Sequence, residues 1–135
     1  YTGDTKYLEF ARKCTKVFIE SLESDYVPMW DFSVPDKSVE ERDTSAGAIT
    51  AASILELSKY VAEEERQYYV NISEKMLESL YEDYSSKDKP EEEGLLLHAV
   101  GHKPGNSQID VSLIYGDYYF AEAIARLLDK TVRYW

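Results

Sequence analysis

The hydrophobic positions fall into four stretches of helical period, separated by polar or turn-rich segments. Capping oxygens in the opening Tyr1-Thr2-Gly3-Asp4-Thr5-Lys6 precede the first, in which Leu8, Ala11, Thr15, Phe18 and Leu22 recur every three or four residues. Phe10, Cys14 and Val17 widen that stripe, so the spacing predicts a helix buried along much of its length that stops near Glu23, ahead of Ser24, Asp25 and Pro28. A second helix is predicted from the capping run Asp43-Thr44-Ser45 to about Val61. Its first half carries Ala46, Gly47, Ala48, Ala51, Ala52 and Ser53, small side chains that let another backbone approach closely, before Ile54, Leu55 and Leu57 restore a bulky face. Tyr69, Ile72, Met76, Leu77, Leu80 and Tyr84 form the stripe of a third helix from about Glu64 to Tyr84. The glutamates at 63, 64 and 65 suit its N-terminal dipole and read as a solvated helix end. The short joint before it predicts an antiparallel helical hairpin.

Elsewhere the period is lost. From Tyr26 to Arg42 the chain holds Pro28 and Pro35 on either side of Met29-Trp30-Asp31-Phe32. Connections that long without regular structure are uncommon in compact domains and tend to be functional. A Trp and a Phe flanking an Asp suit a binding wall with a polar anchor, and they equally suit plugs over helix ends. Ser85–Glu93 reads as an exposed loop, interrupted by Pro90. Gly94–Val100 is strongly apolar but too short for a helix, which predicts a short strand. Gly101–Ser107 is turn-rich and carries most of the hydrogen-bonding side chains. The last helix is placed to open at Gly116-Asp117, with Phe120, Ala123, Ile124, Leu127 and Leu128 as its apolar face. The pattern is all-α with one short extended pair.

Composition narrows the possible partners. Apolar residues make up 44% of the 135, enough for a core without disulfide or metal staples. Acidic side chains number 26 against 15 basic ones, for a net charge of −11. A phosphate backbone or an anionic membrane would be repelled, so neither nucleic acid nor membrane is expected as a partner. No apolar run reaches the roughly 18 residues of a membrane span. The 12 tyrosines and two tryptophans exceed what an average core needs; carbohydrate sites use such rings, as do helix interfaces. Cys14 is the single cysteine, which excludes an internal disulfide framework and a multi-cysteine zinc site, and its apolar helix predicts that it is buried.

Several reaction classes find no motif: there is no phosphate-cradling glycine loop, no paired His-Glu metal motif and no Gly-x-Ser-x-Gly elbow. His98 and His102 stand four apart, but Gly101 and Pro104 oppose the helix that would bring them to one face. Nothing in the spacing fixes Ser107, His102 and Asp110 as a nucleophilic triad. Asp31, Asp43, Asp110 and Asp117 lie at loops or helix entrances, where the carboxylates of glycoside hydrolysis often sit. Capping accounts for Asp43 and Asp117, which leaves Asp31 and Asp110 open.

Four segments together resemble a known family. Trp30-Asp31-Phe32, Arg42-Asp43-Thr44-Ser45-Ala46-Gly47-Ala48-Ile49, His98-Ala99-Val100-Gly101-His102-Lys103-Pro104 and Leu113-Ile114-Tyr115-Gly116-Asp117-Tyr118-Tyr119-Phe120-Ala121-Glu122-Ala123 look, in this order, like the C-terminal part of the unsaturated glucuronyl hydrolases, glycoside hydrolase family 88. The resemblance implies an (α/α)6 barrel, a bacterial origin and removal of an unsaturated uronic acid from the nonreducing end of lyase-generated oligosaccharides. In that chemistry an aspartate protonates the C4=C5 double bond and water adds at C5, with no metal or other cofactor. The family's two key aspartates and its Arg-Gly-Gln-x-Trp stretch belong upstream of Tyr1, so no aspartate here inherits a catalytic role. Residues 1–135 would then be the C-terminal portion of a single barrel domain with no second domain, partnered by the N-terminal remainder of that domain.

On this resemblance the chain supplies a wall of the pocket. Trp30, Asp31 and Phe32 are candidates to contact the oligosaccharide, and His102, Lys103, Asn106 and Ser107 to contact its leaving sugar. Lys103 stands out as a cation in an acidic chain, placed where an anionic sugar could use it. Two other readings remain open from the residues alone. One is a non-enzymatic helical scaffold, although no repeat of fixed period is visible; the other is a complete small hydrolase using Asp31 and Asp110.

Overall fold

The computed structural model describes residues 3–130, so Tyr1 and Thr2 of the predicted helix start lie outside the described residues. Helix α1 spans Thr5–Ser21, α2 Thr44–Leu57 and α3 Glu63–Tyr84; strands β1 (Ala99–His102) and β2 (Ser107–Val111) follow, then α4 (Ile114–Leu127). Each helix start has a local cause. Asp4 caps α1 by accepting from the Lys6 amide, and Asp43 caps α2 by accepting from the amides of Ser45 and Ala46. Glu63, Glu64 and Glu65 occupy the first turn of α3, where the helix dipole favours negative charge.

Helix α2 is the centre of the packing. Ala48, Ala51, Ala52, Ile54 and Leu55 meet Tyr69, Ile72, Met76, Leu77 and Leu80 of α3 on one side and Phe120 and Ala123 of α4 on the other, with Val27 and Leu96 closing the cluster. The small residues permit this crowding. A Cβ on Gly116 would lie 3.1 Å from Ser45 Cβ and 3.3 Å from Ser45 Cα, and one on Gly47 would lie 3.2 Å from Pro28 Cδ. Met76 and Leu80 are fully buried, and each such side chain stabilises the fold by roughly 1.5–3 kcal/mol.

Several expectations are corrected. Helix α1 has no buried residue, with Phe10 68% and Val17 63% exposed and Cys14 exposed as well. Phe18 and Ile19 of α1, with Leu22 just beyond its end, pack on the core, while Leu8, Ala11 and Thr15 of the same stripe are only part-buried. Helix α2 stops at Leu57, where the Ser58 hydroxyl takes the Leu55 carbonyl (2.8 Å) and residues Ser58–Tyr60 tighten into a 3-10 turn. The predicted strand over Gly94–Val100 is displaced toward the C-terminus. Its first half pairs with the end of α3 instead, through Ser86 N to Leu95 O (3.0 Å) and Leu97 N to Tyr84 O (2.8 Å). Helix α4 begins at Ile114, and the Asp117 carboxylate does not cap it: that group accepts from the Leu96 amide at 2.9 Å.

The strands form an antiparallel hairpin with partners Ala99 and Val111, Val100 and Ile109, and His102 and Ser107. The register slips between Ala99 and Val100, leaving Asp110 as the extra residue on β2, with φ of 57°. Such a bulge bends its strand and re-aims a side chain. The residues Lys103–Gly105 make a short 3-10 turn at the hairpin tip, closed by Asn106 in the left-handed region.

Candidate functional site

Two segments that lack helical period meet at one place, the 26–42 loop and the β1–β2 hairpin. The loop is fastened at its base. The Asp43 amide donates to Pro28 O (2.9 Å), the Trp30 amide to Glu41 O (3.1 Å), and Met29 and Arg42 form an antiparallel bridge. Arg42 adds an ion pair to Asp25 at 3.0 Å and donates to Val27 O at 3.3 Å, while Lys37 pairs with Glu23. The loop is therefore ordered by its own polar groups rather than by regular structure.

Trp30 is the point of contact with the hairpin. Its indole N–H donates to Glu40 Oε2 at 2.8 Å, and Lys103 from the hairpin tip lies over the ring, 5.2 Å from its centroid. The Lys103 ammonium pairs with both Glu40 and Glu41. Hydrogen bonds from Lys103 and then from Trp30 hold the Glu40 carboxyl below its usual range, and bonds to Glu40 and Glu41 raise the Lys103 ammonium. The cation is thus matched by two carboxylates from the loop. The sequence singles out Lys103 but not its partners, because Glu40 and Glu41 lie 63 and 62 residues away.

The other candidates are placed as follows. Asp31 Oδ1 accepts from the Ser33 amide (2.8 Å) and hydroxyl (2.7 Å), an Asx turn that lowers its pKa. Phe32 packs edge-on against Phe18 of α1, with ring centroids 5.1 Å apart. His102, Asn106 and Ser107 are exposed at the hairpin tip. A Cβ on Gly105 would come within 2.4 Å of His102 Nδ1, so the imidazole lies against the glycine. A readable signal for Asp31 was present in the sequence: Asp31-Phe32-Ser33, Asp36-Lys37-Ser38 and Asp43-Thr44-Ser45 share one spacing, and in each the carboxylate binds the amide and hydroxyl of the serine.

The hairpin is fixed to the core at its other end. Asp43 Oδ1 also accepts from the Val100 amide (3.4 Å), the buried Thr44 hydroxyl donates to Leu97 O (2.7 Å), and the Thr44 amide to His98 O (3.4 Å). His98 has φ of 63° and meets Asp110 through Nδ1 at 2.5 Å, with Tyr84 edge-on to its ring. The Tyr84 hydroxyl donates to Asp25 at 2.8 Å, and burial followed by this carboxylate raises its pKa. Among the described residues no group of three or more His, Cys, Asp or Glu side chains is arranged to hold a metal ion, and no helix is long and apolar enough to cross a membrane.

A second polar cluster joins α1 to α3. Arg12 forks onto Glu65 (2.8 and 2.7 Å), which also accepts from the Tyr69 hydroxyl at 2.8 Å. Burial and then the Glu65 carboxylate push Tyr69 up to about 12. Glu65 is therefore a partner in a tertiary contact and not only part of a solvated helix end.

Comparison with known proteins bears on what this arrangement serves. The unsaturated glucuronyl hydrolase of Bacillus sp. (strain GL1) is 34% identical over 100% of this chain and 36% of its own length, and that of Formosa agariphila 38% identical over 93% of this chain and 32% of its own. The chain is homologous to the unsaturated glucuronyl hydrolases. It spans about a third of the length of the curated relatives it matches, in their C-terminal part. No protein-family model matches it. Solved unsaturated glucuronyl hydrolases superpose on it closely. A mutant from Streptococcus agalactiae complexed with dGlcA-GalNAc6S gives a TM-score of 0.88 at 33% identity, over 98% of this chain and 36% of that one. A second, with dGlcA-Glc-Rha-Glc, gives 0.88 at 35% identity over 93% of this chain and 34% of that one. Those hydrolases are α/α barrels, and the four helices and strand pair described here have the fold of one section of such a barrel.

Proposed function

We propose that this chain is the C-terminal portion of a single (α/α)6 glycoside hydrolase domain that removes an unsaturated uronic acid from the nonreducing end of oligosaccharides. The observation that carries the reading is the homology over the whole chain, joined to a loop and hairpin that meet at Trp30. In the reaction an acid delivers a proton to C4 of the C4=C5 double bond and water adds at C5, giving up its second proton to a base. The resulting hemiketal opens and the leaving sugar departs.

In this reading the acid and base belong to the N-terminal remainder of the domain, which the local partners of the two open aspartates support: Asp31 is bound to Ser33 and Asp110 to His98. That remainder is also the partner suited to the uncovered apolar side chains of α1 and α4, among them Phe10, Val17 and Ile114. His102, Asn106 and Ser107 offer exposed polar groups to the leaving sugar, Trp30 and Lys103 hold the hairpin tip against the loop, and Asp31 and Phe32 shape the loop beside the oligosaccharide. No metal or other cofactor enters the reaction.

The test is loss of ultraviolet absorbance at the double bond of an unsaturated disaccharide. The full-length protein is expected to turn the substrate over and residues 1–135 alone to be silent. Robust turnover by these residues alone would overturn the placement of the acid and base.

A further inference from the structure

Three parts of the chain that are remote in sequence meet at Tyr84: the two ends of the 26–42 loop at Asp25 and Arg42, the end of α3, and the hairpin at His98 and Asp110. We propose that Tyr84 is a positioning residue that fastens the loop and the hairpin to each other, so that the two walls of the site keep one arrangement. This assignment rests on the hydrolase reading above for what the walls serve, and it goes beyond that reading by giving a role to a residue that lies outside both walls.

Tyr84 is itself well fixed. It is the last residue of α3, its half-buried ring packs on the core cluster, and its carbonyl accepts from the Leu97 amide at 2.8 Å. On one side its hydroxyl donates to Asp25 Oδ2 at 2.8 Å, and the same oxygen pairs with Arg42 at 3.0 Å. Asp25 and Arg42 stand where the loop leaves the body of the fold and where it returns, so their ion pair is a clasp across its base. Arg42 also donates to Val27 O at 3.3 Å, and Asp25 Oδ1 accepts from the Val27 amide at 3.4 Å. The Asp25 and Arg42 side chains are only 24% and 21% exposed, which shields the clasp from the water that weakens open surface pairs.

On its other side the Tyr84 ring meets the His98 imidazole edge-on, with centroids 6.1 Å apart and planes at 81°. The imidazole is held between that ring and Asp110, whose Oδ1 lies 2.5 Å from Nδ1. His98 and Asp110 have φ of 63° and 57°, in the left-handed region that disfavours a residue with a Cβ and persists only where the surroundings enforce it. Asp110 is also the extra residue of the bulge, so the place of the imidazole bears on how β2 bends. One side chain therefore touches both the clasp of the loop and the strained pair that shapes the hairpin. Loosening either contact should be felt at the other.

The test uses the full-length protein and two substitutions. Tyr84→Phe keeps the ring and removes the hydroxyl; His98→Asn removes the imidazole but keeps a residue type that tolerates the left-handed backbone. Hydrogen exchange is read at the Trp30 amide in the loop and the Val100 amide in the hairpin. Each substitution should accelerate both amides by about fivefold, the worth of one net hydrogen bond. The double variant should be no worse than the worse single one, because both changes cut the same connection. On an unsaturated disaccharide each single variant should raise KM by about fivefold and leave kcat within about threefold, as a displaced binding wall does and a lost acid or base does not. Tyr81→Phe, at a half-exposed position of the same helix, should change none of these readings. If Tyr84→Phe loses its fold, Asp25→Asn, which releases Arg42 from the clasp, takes its place with the same expectation at the Val100 amide. Faster exchange confined to the loop in Tyr84→Phe and to the hairpin in His98→Asn would overturn the inference, as would a KM unmoved while both amides exchange faster. Absence of turnover by the unsubstituted protein would instead count against the hydrolase reading, and exchange at the two amides would still decide whether Tyr84 joins the walls.

Discussion

Asp43 is the residue on which the loop, helix α2 and the hairpin all depend, and replacing it tests that junction. One oxygen, Oδ1, accepts from the Ser45 amide (3.1 Å), the Ala46 amide (3.2 Å), the Ser45 hydroxyl (2.6 Å) and the Val100 amide (3.4 Å). Loss of an N-cap of this kind costs about 1 kcal/mol, and up to about 2 in well-defined protein helices. Ser45 is 2% exposed and Val100 8%, so their freed donors are poorly placed to find water, which adds about 1 kcal/mol. Asp43→Ala should therefore destabilise by roughly 2–3 kcal/mol. Asp43→Asn keeps an oxygen acceptor of equal capping rank and should cost under about 1 kcal/mol. Equilibrium unfolding of the full-length protein in urea reads both values, and hydrogen exchange at the Val100 amide should accelerate only in the alanine variant. An alanine variant within about 0.5 kcal/mol of the parent, or an asparagine variant as unstable as the alanine one, would refute the reasoning.

Three further outcomes follow from the packing and from one shifted group. Leu80→Ala empties a fully buried position between α2 and α3 and should cost about 2–5 kcal/mol in the same urea experiment. Gly116→Val places methyl groups against Ser45 Cα, which a glycine Cβ would already approach to 3.3 Å, and should destabilise by about 1–3 kcal/mol through overpacking of α2 on α4. Tyr69 is held neutral up to about 12, above the ordinary phenol value near 10, so the folded state binds its proton more tightly than the unfolded state does. Its contribution to stability is complete below pH 10 or so and is lost as pH rises toward 12; in a difference titration of phenolate absorbance, Tyr69→Phe should remove amplitude near 12 and not near 10.

The four helices were legible because their causes are local. Period, small residues and capping carboxylates act within a few residues, and Asp4 and Asp43 do what their positions suggest. What the sequence concealed depends on distant partners. Phe10 and Cys14 fit a buried stripe by spacing alone, yet whether a stripe is covered depends on which elements pack against it. The extended segment was recognised but misplaced, because Leu95 and Leu97 use their backbone groups on the end of α3, and the left-handed turn at His98 only then starts the hairpin. Asp117 looked like a cap and instead binds the Leu96 amide, a pairing set by tertiary contact. At the site, Trp30 and Lys103 were found by their chemistry, and the structure puts one above the other. Glu40 and Glu41 carried no such mark in a chain with 26 acidic residues, although both pair with Lys103.

The central claim is that this chain shapes and supports the pocket while the proton transfers are made elsewhere in the domain. The most direct test is kcat of the full-length protein on an unsaturated disaccharide after Asp31→Asn and Asp110→Asn, made singly. Both aspartates have local partners, Ser33 and His98, so kcat should stay within about threefold of the parent, well short of what losing a general acid or base costs. A fall of about 10²–10⁴ in either variant, with folding intact, would contradict the claim and place a catalytic carboxylate within this chain.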